Sequence, residues 1–349
     1  MPGQMYPPTS SEELIMSIIP LRRSPITPTI DLDGLGVQHG YLRLPYSRDD
    51  SAWGSVMIPI AVIRNGDGPT ALLTGGNHGD EYEGPLALFE LARTLSPKDV
   101  RGAVIIVPAM NYPAFRAGTR TSPIDKGNMN RSFPGRPDGA VTEKIADYFQ
   151  RELLPRADLV LDFHSGGRTL DFIPYCAAHI LPDETLSARA FAAVDAFSAP
   201  WSVKMLEIDA VGMYDTAAED LGKVFVTTEL GGGGTSTAHT VRIARRGASN
   251  VLKHAGIVAG AVDSQPTRWL DMPSDDCFCF AEEDGMIETM VDLGDSVTEG
   301  QVVARIHPVA RTGVAPLEIR AKMTGLLVAR HFPGLVKAGD CASVMAVPA

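Results

Sequence analysis

Short, continuous apolar runs that alternate with amphipathic segments constrain the fold of this chain more than any other feature. Strands that are apolar on both faces belong in parallel sheets covered by helices on each side, because neither face meets water. Such runs lie at residues 71–74, 103–109, 159–163 and 224–228, and helical apolar spacing lies between them at residues 83–96, 142–155 and 184–197. The pattern predicts an α/β domain with a mostly parallel mixed sheet flanked by helices.

The C-terminal part of the chain has a different texture. After about residue 270, helical periods give way to short β segments with glycine turns. The stretch from Gly285 matches the stretch from Gly325, and in each a second glycine follows nine residues later. This repeat predicts a small β sandwich with pseudo-twofold symmetry. We therefore divide the 349 residues into an N-terminal extension at 1–50, an α/β domain at 51–270 and a C-terminal β domain at 271–349.

Two local signals add to this outline. The sequence SEELIMSII, residues 11–19, predicts a short helix inside the N-terminal extension. The sequence NGDG, residues 65–68, lies between two apolar runs and favours a hairpin turn that joins neighbouring strands.

Composition restricts the classes of partner and compartment. The net charge of −11 disfavours binding to nucleic acid through a basic surface. Four cysteines in a chain of this size are too few for a disulfide framework and indicate a reducing compartment. The first 20 residues lack a basic region, and their apolar stretch is too short for a signal peptide or a membrane span. We expect a cytoplasmic protein without a membrane partner.

Polar residues with metal-ligating side chains follow three of the apolar runs. His78 and Glu81 form an H-x-x-E pair after the first run, His164 ends the run at 159–163, and Glu229 ends the run at 224–228. Ligand sites in such sheets lie beyond the carboxyl ends of the strands. Two close ligands and one distant ligand suit a three-ligand zinc site with an open fourth position, so we expect His78, Glu81 and His164 to bind one zinc ion.

Three nearby carboxylates have simpler interpretations. Asp80 and Glu83 are expected to be solvated residues of a loop and a helix start, where a negative charge favours the helix dipole. Asp162 lies two residues before His164 and therefore points to the same face of its strand. It either accepts a hydrogen bond from a histidine ligand or pairs with another group elsewhere.

A long polar segment at residues 118–135 has no helical or strand pattern, which is typical of functional loops inside compact domains. Arg120 and Arg131 can supply positive charge to a carboxylate or an oxyanion, and Asn130 can supply an amide donor. The alternative is that both arginines are ordinary surface residues.

Taken in order, the H-x-x-E pair, Asn130-Arg131, His164 and Glu229 resemble the zinc carboxypeptidase superfamily, and more closely the succinylglutamate desuccinylase/aspartoacylase family. The resemblance covers roughly residues 50–345. Within it, GNMNRSFPG, DFHSGG and TELGGGG are similar to the deacetylases that act on N-acetyl-2,4-diaminobutyrate in ectoine breakdown.

The resemblance implies a zinc-dependent amidohydrolase acting on a small N-acyl amino acid. In that family pattern, His78, Glu81 and His164 are the zinc ligands and Glu229 is the general base. Asn130 and Arg131 match the clamp for the substrate carboxylate. Arg120 is the candidate for polarising the scissile carbonyl, although its offset from Asn130 differs from some members. The glycines after Glu229 are expected to let the backbone approach the substrate.

The C-terminal repeat resembles the biotinyl/lipoyl type of β domain, where a modified lysine sits between the two halves. Here the connection between the halves is HPVARTGVAPLE, which has no lysine, and Lys322 lies in the second half. We therefore expect no covalent cofactor. The domain is expected to narrow the active site or to support a homodimer.

Two rival functions stay open at this point. One is a zinc carboxypeptidase that cleaves peptide ends, which needs a groove open to a peptide. The other is a binding module without activity. Within the preferred class, the acyl group and the amino acid are not fixed by any motif, and a succinylglutamate desuccinylase or aspartoacylase-type activity is the alternative to deacetylation of diaminobutyrate.

Overall fold

The computed structural model describes residues 23–205 and 210–349, so the helix predicted near residues 11–19 lies outside the described residues. The helices of the described part are α1 (Glu83–Thr94), α2 (Tyr112–Ala117), α3 (Val141–Tyr148), α4 (Glu184–Phe197), α5 (Tyr214–Glu219) and α6 (Ala238–His254). The first eleven strands are β1 (Thr27–Pro28), β2 (Gly36–Pro45), β3 (Ser55–Asn65), β4 (Thr70–Gly75), β5 (Gly102–Val107), β6 (Leu159–His164), β7 (Leu170–Phe172), β8 (Tyr175–His179), β9 (Trp201–Met205), β10 (Val224–Glu229) and β11 (Arg268–Asp271). The C-terminal strands are β12 (Phe278–Phe280), β13 (Gly285–Thr289), β14 (Ser296–Val297), β15 (Val302–His307), β16 (Leu317–Arg320), β17 (Gly325–His331), β18 (Leu335–Val336) and β19 (Cys341–Pro348).

A mixed sheet forms the centre of the molecule. Its strand order is β1-β2-β3-β5-β4-β6-β10-β8-β9-β11, and β11 connects it to the C-terminal strands by pairing antiparallel with β19. The four middle strands β5, β4, β6 and β10 run parallel, and β8 turns the direction by pairing antiparallel with β10. The predicted mixed α/β sheet flanked by helices is confirmed. The division at residues 50 and 270 stays a prediction, although β1 and β2 add the stretch at 27–45 to this sheet.

The hairpin predicted at NGDG is wrong. Strands β3 and β4 flank this turn, but they do not pair with each other, because β5 lies between them. Strand β3 pairs antiparallel with β5, and β4 pairs parallel with β5. The turn chemistry is present in the sequence, but the wholly apolar β5 gains more burial in the middle of the sheet than at its edge.

Both faces of the sheet are covered, as the apolar strands require. Neighbouring residues Leu72 and Leu73 point to opposite faces and belong to two different cores. Helices α1, α4 and α6 cover one face, whereas α3 and α5 cover the other. Local capping fixes two of these helices, because Asp183 accepts hydrogen bonds from Thr185 and Leu186 at the start of α4 and Thr237 caps α6.

The C-terminal residues form a small β domain with two sheets. One has the order β16-β15-β13-β18, and the other joins β14, β17, β19 and β12. The two half-repeats exchange their short strands, since β14 of the first half pairs with β17 and β18 of the second half pairs with β13. The connection from β15 to β16 is the loop between the halves, and Lys322 follows β16 as an exposed residue.

Strand β7 joins the two parts of the chain next to the strand ends of the central sheet. It follows β6 closely, yet it pairs antiparallel with β17 of the C-terminal β domain, with Phe172 opposite Ala329. The glycine loop after β10 packs on the same segment, because a Cβ atom at Gly232 would lie 1.9 Å from the carbonyl oxygen of Leu170. This glycine therefore permits a close approach between two protein loops, where the sequence analysis expected an approach to substrate.

Candidate active site and metal centre

Three neighbouring parallel strands bring the chemically active side chains together. Strands β4, β6 and β10 lie side by side, and Glu229 is directly opposite His164 in the register of β10 and β6. His78 and Glu81 follow β4 in the loop that leads to α1. The carboxyl ends of parallel strands meet at one edge of a sheet, so the order of the strands places these four residues in one site.

His78, Glu81 and His164 form a compact group in which the carboxylate lies between the two imidazoles. Nδ1 of His78 is 2.7 Å from Oε1 of Glu81, and Nδ1 of His164 is 3.0 Å from Oε2 of Glu81. One ligand atom from each of the three residues lies within 4.8 Å of the others. Two nitrogen atoms and one carboxylate facing a common point form a possible metal site with the donor set that zinc prefers.

The electrostatics of this group suit a bound cation. Burial alone would raise the pKa of Glu81, but the two imidazoles hold it well below its usual range. Burial lowers the pKa of His164, yet the carboxylates of Asp162 and Glu81 outweigh this effect and raise the pKa well above its ordinary value. Burial also lowers the pKa of His78. The site is thus built to hold positive charge between the ligands, which a divalent metal ion would supply.

Asp162 holds the far side of the His164 ring. Its Oδ2 atom lies 2.8 Å from Nε2 of His164 and accepts a hydrogen bond from Nδ2 of Asn77 at 3.2 Å, while its Oδ1 atom accepts one from the Thr74 hydroxyl at 2.6 Å. Of the two interpretations left open by the sequence, the structure favours the partner of a histidine ligand. The arrangement leaves Nδ1 of His164 directed at Glu81, which fixes the imidazole orientation that a metal ligand needs.

Glu229 lines the same cavity as His78, Glu81 and His164. Oε2 of Glu229 is buried and has no hydrogen-bond partner among the residues that the structure describes. Burial, and secondly the charge of Glu81, raises the pKa of Glu229 to about 8. A carboxylate with a pKa in this range can accept and return a proton near neutral pH.

The sequence interpretation of Asp80 and Glu83 as solvated residues is wrong. Asp80 is 4% exposed, and its carboxylate accepts a hydrogen bond from the backbone of Arg168, which holds the loop after His164. Glu83 is 2% exposed at the start of α1, lies 3.5 Å from the Thr240 hydroxyl, and has a pKa raised by burial to about 7. The first turn of α1 packs against loops and α6, so these carboxylates do not meet solvent.

The polar loop at residues 118–135 reaches the same site. Nη1 of Arg120 lies 3.3 Å from Nδ1 of His78 and 3.8 Å from Oε1 of Glu81. Oδ1 of Asn130 accepts a hydrogen bond from the backbone N–H of Tyr214 at 3.1 Å and is 3.5 Å from Nδ2 of Asn77. Arg131 is exposed at the rim, and its Nη1 donates to the carbonyl oxygen of Asn130 at 2.6 Å.

These residues surround a cavity of about 190 Å³. All seven of the residues predicted for the site line it, namely His78, Glu81, Arg120, Asn130, Arg131, His164 and Glu229. The cavity is small beside the roughly 300–1,000 Å³ of pockets for drug-sized ligands. Leu170 and Phe172 of β7 form part of the wall, so the C-terminal β domain supports the cavity through its pairing with β7.

Sequence reasoning missed several residues in and beside the cavity, and Asn77 is one that does not line it. Asn77 connects the Asp162 network to Asn130, although it lies inside the motif GGNHGD. Asp215 and Met213 come from α5 and the loop before it, which carried no chemical motif. Thr227 had a detectable signal, because it lies two residues before Glu229 and therefore points to the same side of β10.

A family model described as the succinylglutamate desuccinylase/aspartoacylase catalytic domain matches residues 67–255. The chain belongs to this family. It is 56% identical over 327 residues to the N-alpha-acetyl-L-2,4-diaminobutyric acid deacetylase of Halomonas elongata, which covers 93% of this chain and 96% of the relative. The matched residues include His78, Glu81, His164 and Glu229 and end before the C-terminal β domain.

Solved structures of the family share the whole fold. A product-bound structure of the ectoine utilization protein EutE (DoeB) from Ruegeria pomeroyi is 65% identical, covers 93% of this chain and 99% of its own, and superposes with a TM-score of 0.92. A succinylglutamate desuccinylase from Silicibacter sp. TM1040 is 63% identical, covers 94% of this chain and 100% of its own, and also has a TM-score of 0.92. No helix in residues 23–205 or 210–349 is long and apolar enough to cross a membrane.

Proposed function

We propose that this protein is a zinc-dependent amidohydrolase that converts N2-acetyl-L-2,4-diaminobutyrate to 2,4-diaminobutyrate and acetate. The observation that carries the proposal is the group of His78, Glu81 and His164 with Glu229 beside it, in a small cavity of a chain that is similar to a deacetylase of this substrate. The location that suits this function is the cytoplasm.

Zinc fits the residues that are present. The three ligand atoms converge, the second nitrogen of His164 is held by Asp162, and the low pKa of Glu81 matches a charged ligand. When bound, zinc supplies a Lewis acid that makes water more acidic and polarises a carbonyl group. His78, Glu81 and His164 would hold one ion for each chain.

Glu229 is the proposed proton carrier. Its carboxylate ends β10 opposite His164, and one of its oxygens is buried without a hydrogen-bond partner in the described part of the chain. It can therefore take a proton from the attacking water and deliver it to the leaving amine. The positive charge of a bound metal ion would lower its pKa from about 8 and favour the ionised form that a base requires. Arg120, next to His78 and Glu81, is placed to stabilise negative charge on the oxygen of the scissile carbonyl.

Asn130 and Arg131 are the proposed clamp for the substrate α-carboxylate. The backbone of Tyr214 and the amide of Asn77 hold the Asn130 carbonyl oxygen, which leaves its amide N–H groups for a ligand. Arg131 adds a guanidinium at the rim of the cavity. If Asn130 and Arg131 hold the α-carboxylate of a short substrate, its acetyl amide would be directed toward Glu229 and the proposed metal ligands.

The C-terminal β domain is proposed to be a structural relative of biotinyl and lipoyl domains that carries no covalent cofactor. The exchange of short strands between its halves and the lysine-free loop at 308–316 support this interpretation. Its proposed role is to narrow the site through β7, and the enzyme is proposed to act as a homodimer. A site narrowed by Leu170 and Phe172 favours small N-acyl amino acids over the peptides that a zinc carboxypeptidase binds.

The test is turnover of a substrate panel by the zinc-loaded protein. The panel contains N2-acetyl-2,4-diaminobutyrate, N-succinylglutamate, N-acetylaspartate and a blocked dipeptide. The readout is release of acetate or succinate and, for the dipeptide, of its C-terminal amino acid. We expect the acetylated diamino acid to have the highest kcat/KM. Preferred release of succinate would establish the alternative that is suggested by the similarity to a succinylglutamate desuccinylase, and preferred cleavage of the dipeptide would establish a carboxypeptidase. Elemental analysis should find one zinc for each chain.

A further inference from the structure

One carboxylate of the cavity does not belong to the metal group, the name used here for the proposed ligands His78, Glu81 and His164. Among the described residues, four carboxylates line the cavity, and Glu81, Asp162 and Glu229 are accounted for by the metal group and the base. The fourth is Asp215, which comes from α5 on a different face of the sheet. Its side chain is 7% exposed, so it is directed into the protein and the cavity.

Asp215 is fixed in position by groups behind it. Its Oδ1 atom accepts a hydrogen bond from the backbone N–H of Thr216 at 2.7 Å, and its Oδ2 atom lies 4.0 Å from Nε2 of His179. Nδ1 of His179 is 3.1 Å from both carboxylate oxygens of Glu219, one helical turn after Asp215. A carboxylate held in this way needs little reorganisation to meet a ligand.

Asp215 directly follows a residue that contacts the proposed carboxylate clamp. The backbone N–H of Tyr214, the residue before Asp215, donates to Oδ1 of Asn130. In 2,4-diaminobutyrate the side-chain ammonium is two methylene groups from the carbon that bears the α-carboxylate. A group that binds this ammonium must therefore lie close to the clamp, and Asp215 lines the same small cavity as Asn130 and Arg131.

Two apolar side chains that line the cavity suit the two methylene groups of the substrate. Met213 precedes α5, and Phe225 lies on β10 two residues before Thr227. Apolar side chains and a buried carboxylate in one small cavity strengthen an ion pair, because little water screens it. Asp215 would repel the side-chain carboxylate of N-succinylglutamate or N-acetylaspartate if that carboxylate occupied the place of the ammonium.

We propose that Asp215 binds the side-chain ammonium of the substrate and thereby selects N-acetyl diamino acids over neutral and acidic N-acyl amino acids. This inference rests on the proposed function, because it assigns a specificity residue to the same site. Asp215 contacts the part of the substrate that does not react, so it acts on the choice of substrate and leaves the chemical step to Glu229 and the metal ligands.

The test compares two substrates that differ in charge alone. N2-acetyl-2,4-diaminobutyrate and N-acetylnorvaline have side chains of equal length, with an ammonium in one and a methyl group in the other. We expect zinc-loaded wild-type protein to prefer the diamino substrate, and Asp215→Asn to reduce this preference by roughly 10- to 100-fold, the usual effect of a hydrogen bond to a charged group. The loss should come mainly from KM for the diamino substrate, with little change for N-acetylnorvaline.

Asp147→Asn is the matched control, because Asp147 is also a buried helical aspartate with a 5% exposed side chain but pairs with Arg151 and does not line the cavity. It should keep the wild-type preference. The proposal is overturned if the Asp215→Asn variant retains the wild-type preference. It is also overturned if the wild-type protein hydrolyses both substrates equally well. Wild-type protein that hydrolyses neither substrate, nor any other N-acyl amino acid, contradicts the proposed function instead.

Asp215→Glu gives a second test that keeps the charge and does not depend on the folding of Asp215→Asn. The longer side chain moves the carboxylate toward the substrate by about one carbon–carbon bond. The preference should therefore shift toward N2-acetyl-2,3-diaminopropionate, whose side chain is one methylene shorter. If the ratio of kcat/KM between the two diamino substrates stays at the wild-type value in this variant, direct contact with the ammonium is ruled out and the proposal is overturned.

Discussion

Replacing Asp162 with asparagine isolates the contribution of its negative charge to metal binding. Asp162 is fully buried, and its two oxygens are held by Thr74, Asn77 and His164 at 2.6 to 3.2 Å. An asparagine at this position can keep its oxygen toward His164 and Asn77 and turn its amide nitrogen toward the Thr74 hydroxyl, which can accept as well as donate. The geometry around His164 is then preserved while the charge is lost.

The expected magnitude follows from the role of the carboxylate behind a histidine ligand. Without the negative charge, the His164 imidazole becomes a weaker base and a weaker ligand, and loss of such a partner costs roughly 10- to 100-fold in metal affinity. This corresponds to about 1.4 to 2.8 kcal/mol of binding free energy. His78 and Glu81 are unchanged, so the variant should still bind one zinc ion when zinc is in excess.

The assay is competition for zinc between the protein and a chromophoric chelator at fixed pH. Asp147→Asn again serves as the control for removing a buried carboxylate away from the metal group, and it should bind zinc like the wild-type protein. A zinc Kd for Asp162→Asn within twofold of the wild-type value would refute the reasoning, because Asp162 would then be a structural acid and not a partner of the ligand.

Four further results are expected. Glu229→Gln should lower kcat by about 100- to 10,000-fold with unchanged zinc content, and near-normal turnover would assign the base to another group. Glu81→Gln should lose zinc and activity together, as measured by elemental analysis, and full zinc content would remove Glu81 from the ligand set. In metal-free protein, the carboxyl of Glu229 has a pKa of about 8 in the folded state and 4.5 in the unfolded state. Its contribution to the stability of the fold should therefore fall as the pH rises between these two values. Glu229→Gln should make the melting temperature depend less on pH in this range. Gly84→Ala should lower the melting temperature, because the new Cβ would lie 2.1 Å from Cβ of Phe163 and overpacking costs about 1–3 kcal/mol. An unchanged melting temperature would show that α1 can shift away from β6 without loss of stability.

The central sheet and the metal group were accessible from the sequence because both depend on local pattern. Wholly apolar strands indicate burial on two faces, and a polar residue directly after such a strand must lie at the edge of the sheet. This reasoning placed His164 and Glu229 correctly beside each other without knowledge of the strand order. It also anticipated the half-repeats of the C-terminal β domain, since glycine spacing reflects turns within each half.

Other features depend on contacts between distant segments and leave no local signal. The turn at residues 65–68 has the residues of a hairpin, but whether β3 and β4 pair is decided by where β5 inserts. Asp80 and Glu83 have the sequence context of solvated helix-start residues, and their burial follows from the packing of Arg168 and Thr240 against them. No pattern around them could indicate these neighbours.

The residues proposed for catalysis and for substrate choice lie on different elements of this fold, and this separation predicts how the two functions respond to mutation. The proposed metal ligands and Glu229 lie at or just after the ends of β4, β6 and β10, and the hydrogen bonds between these strands keep the strand ends fixed relative to one another. The proposed ammonium site lies on α5, and another wall of the cavity comes from β7, which is held by the C-terminal β domain. A change at Asp215 alters the fit of one end of the substrate without moving the strand ends, so it should redirect specificity and leave the turnover of uncharged substrates in place. A change at Asp162 acts through His164, which every substrate requires, and should reduce the turnover of all substrates by the same factor when zinc is limiting.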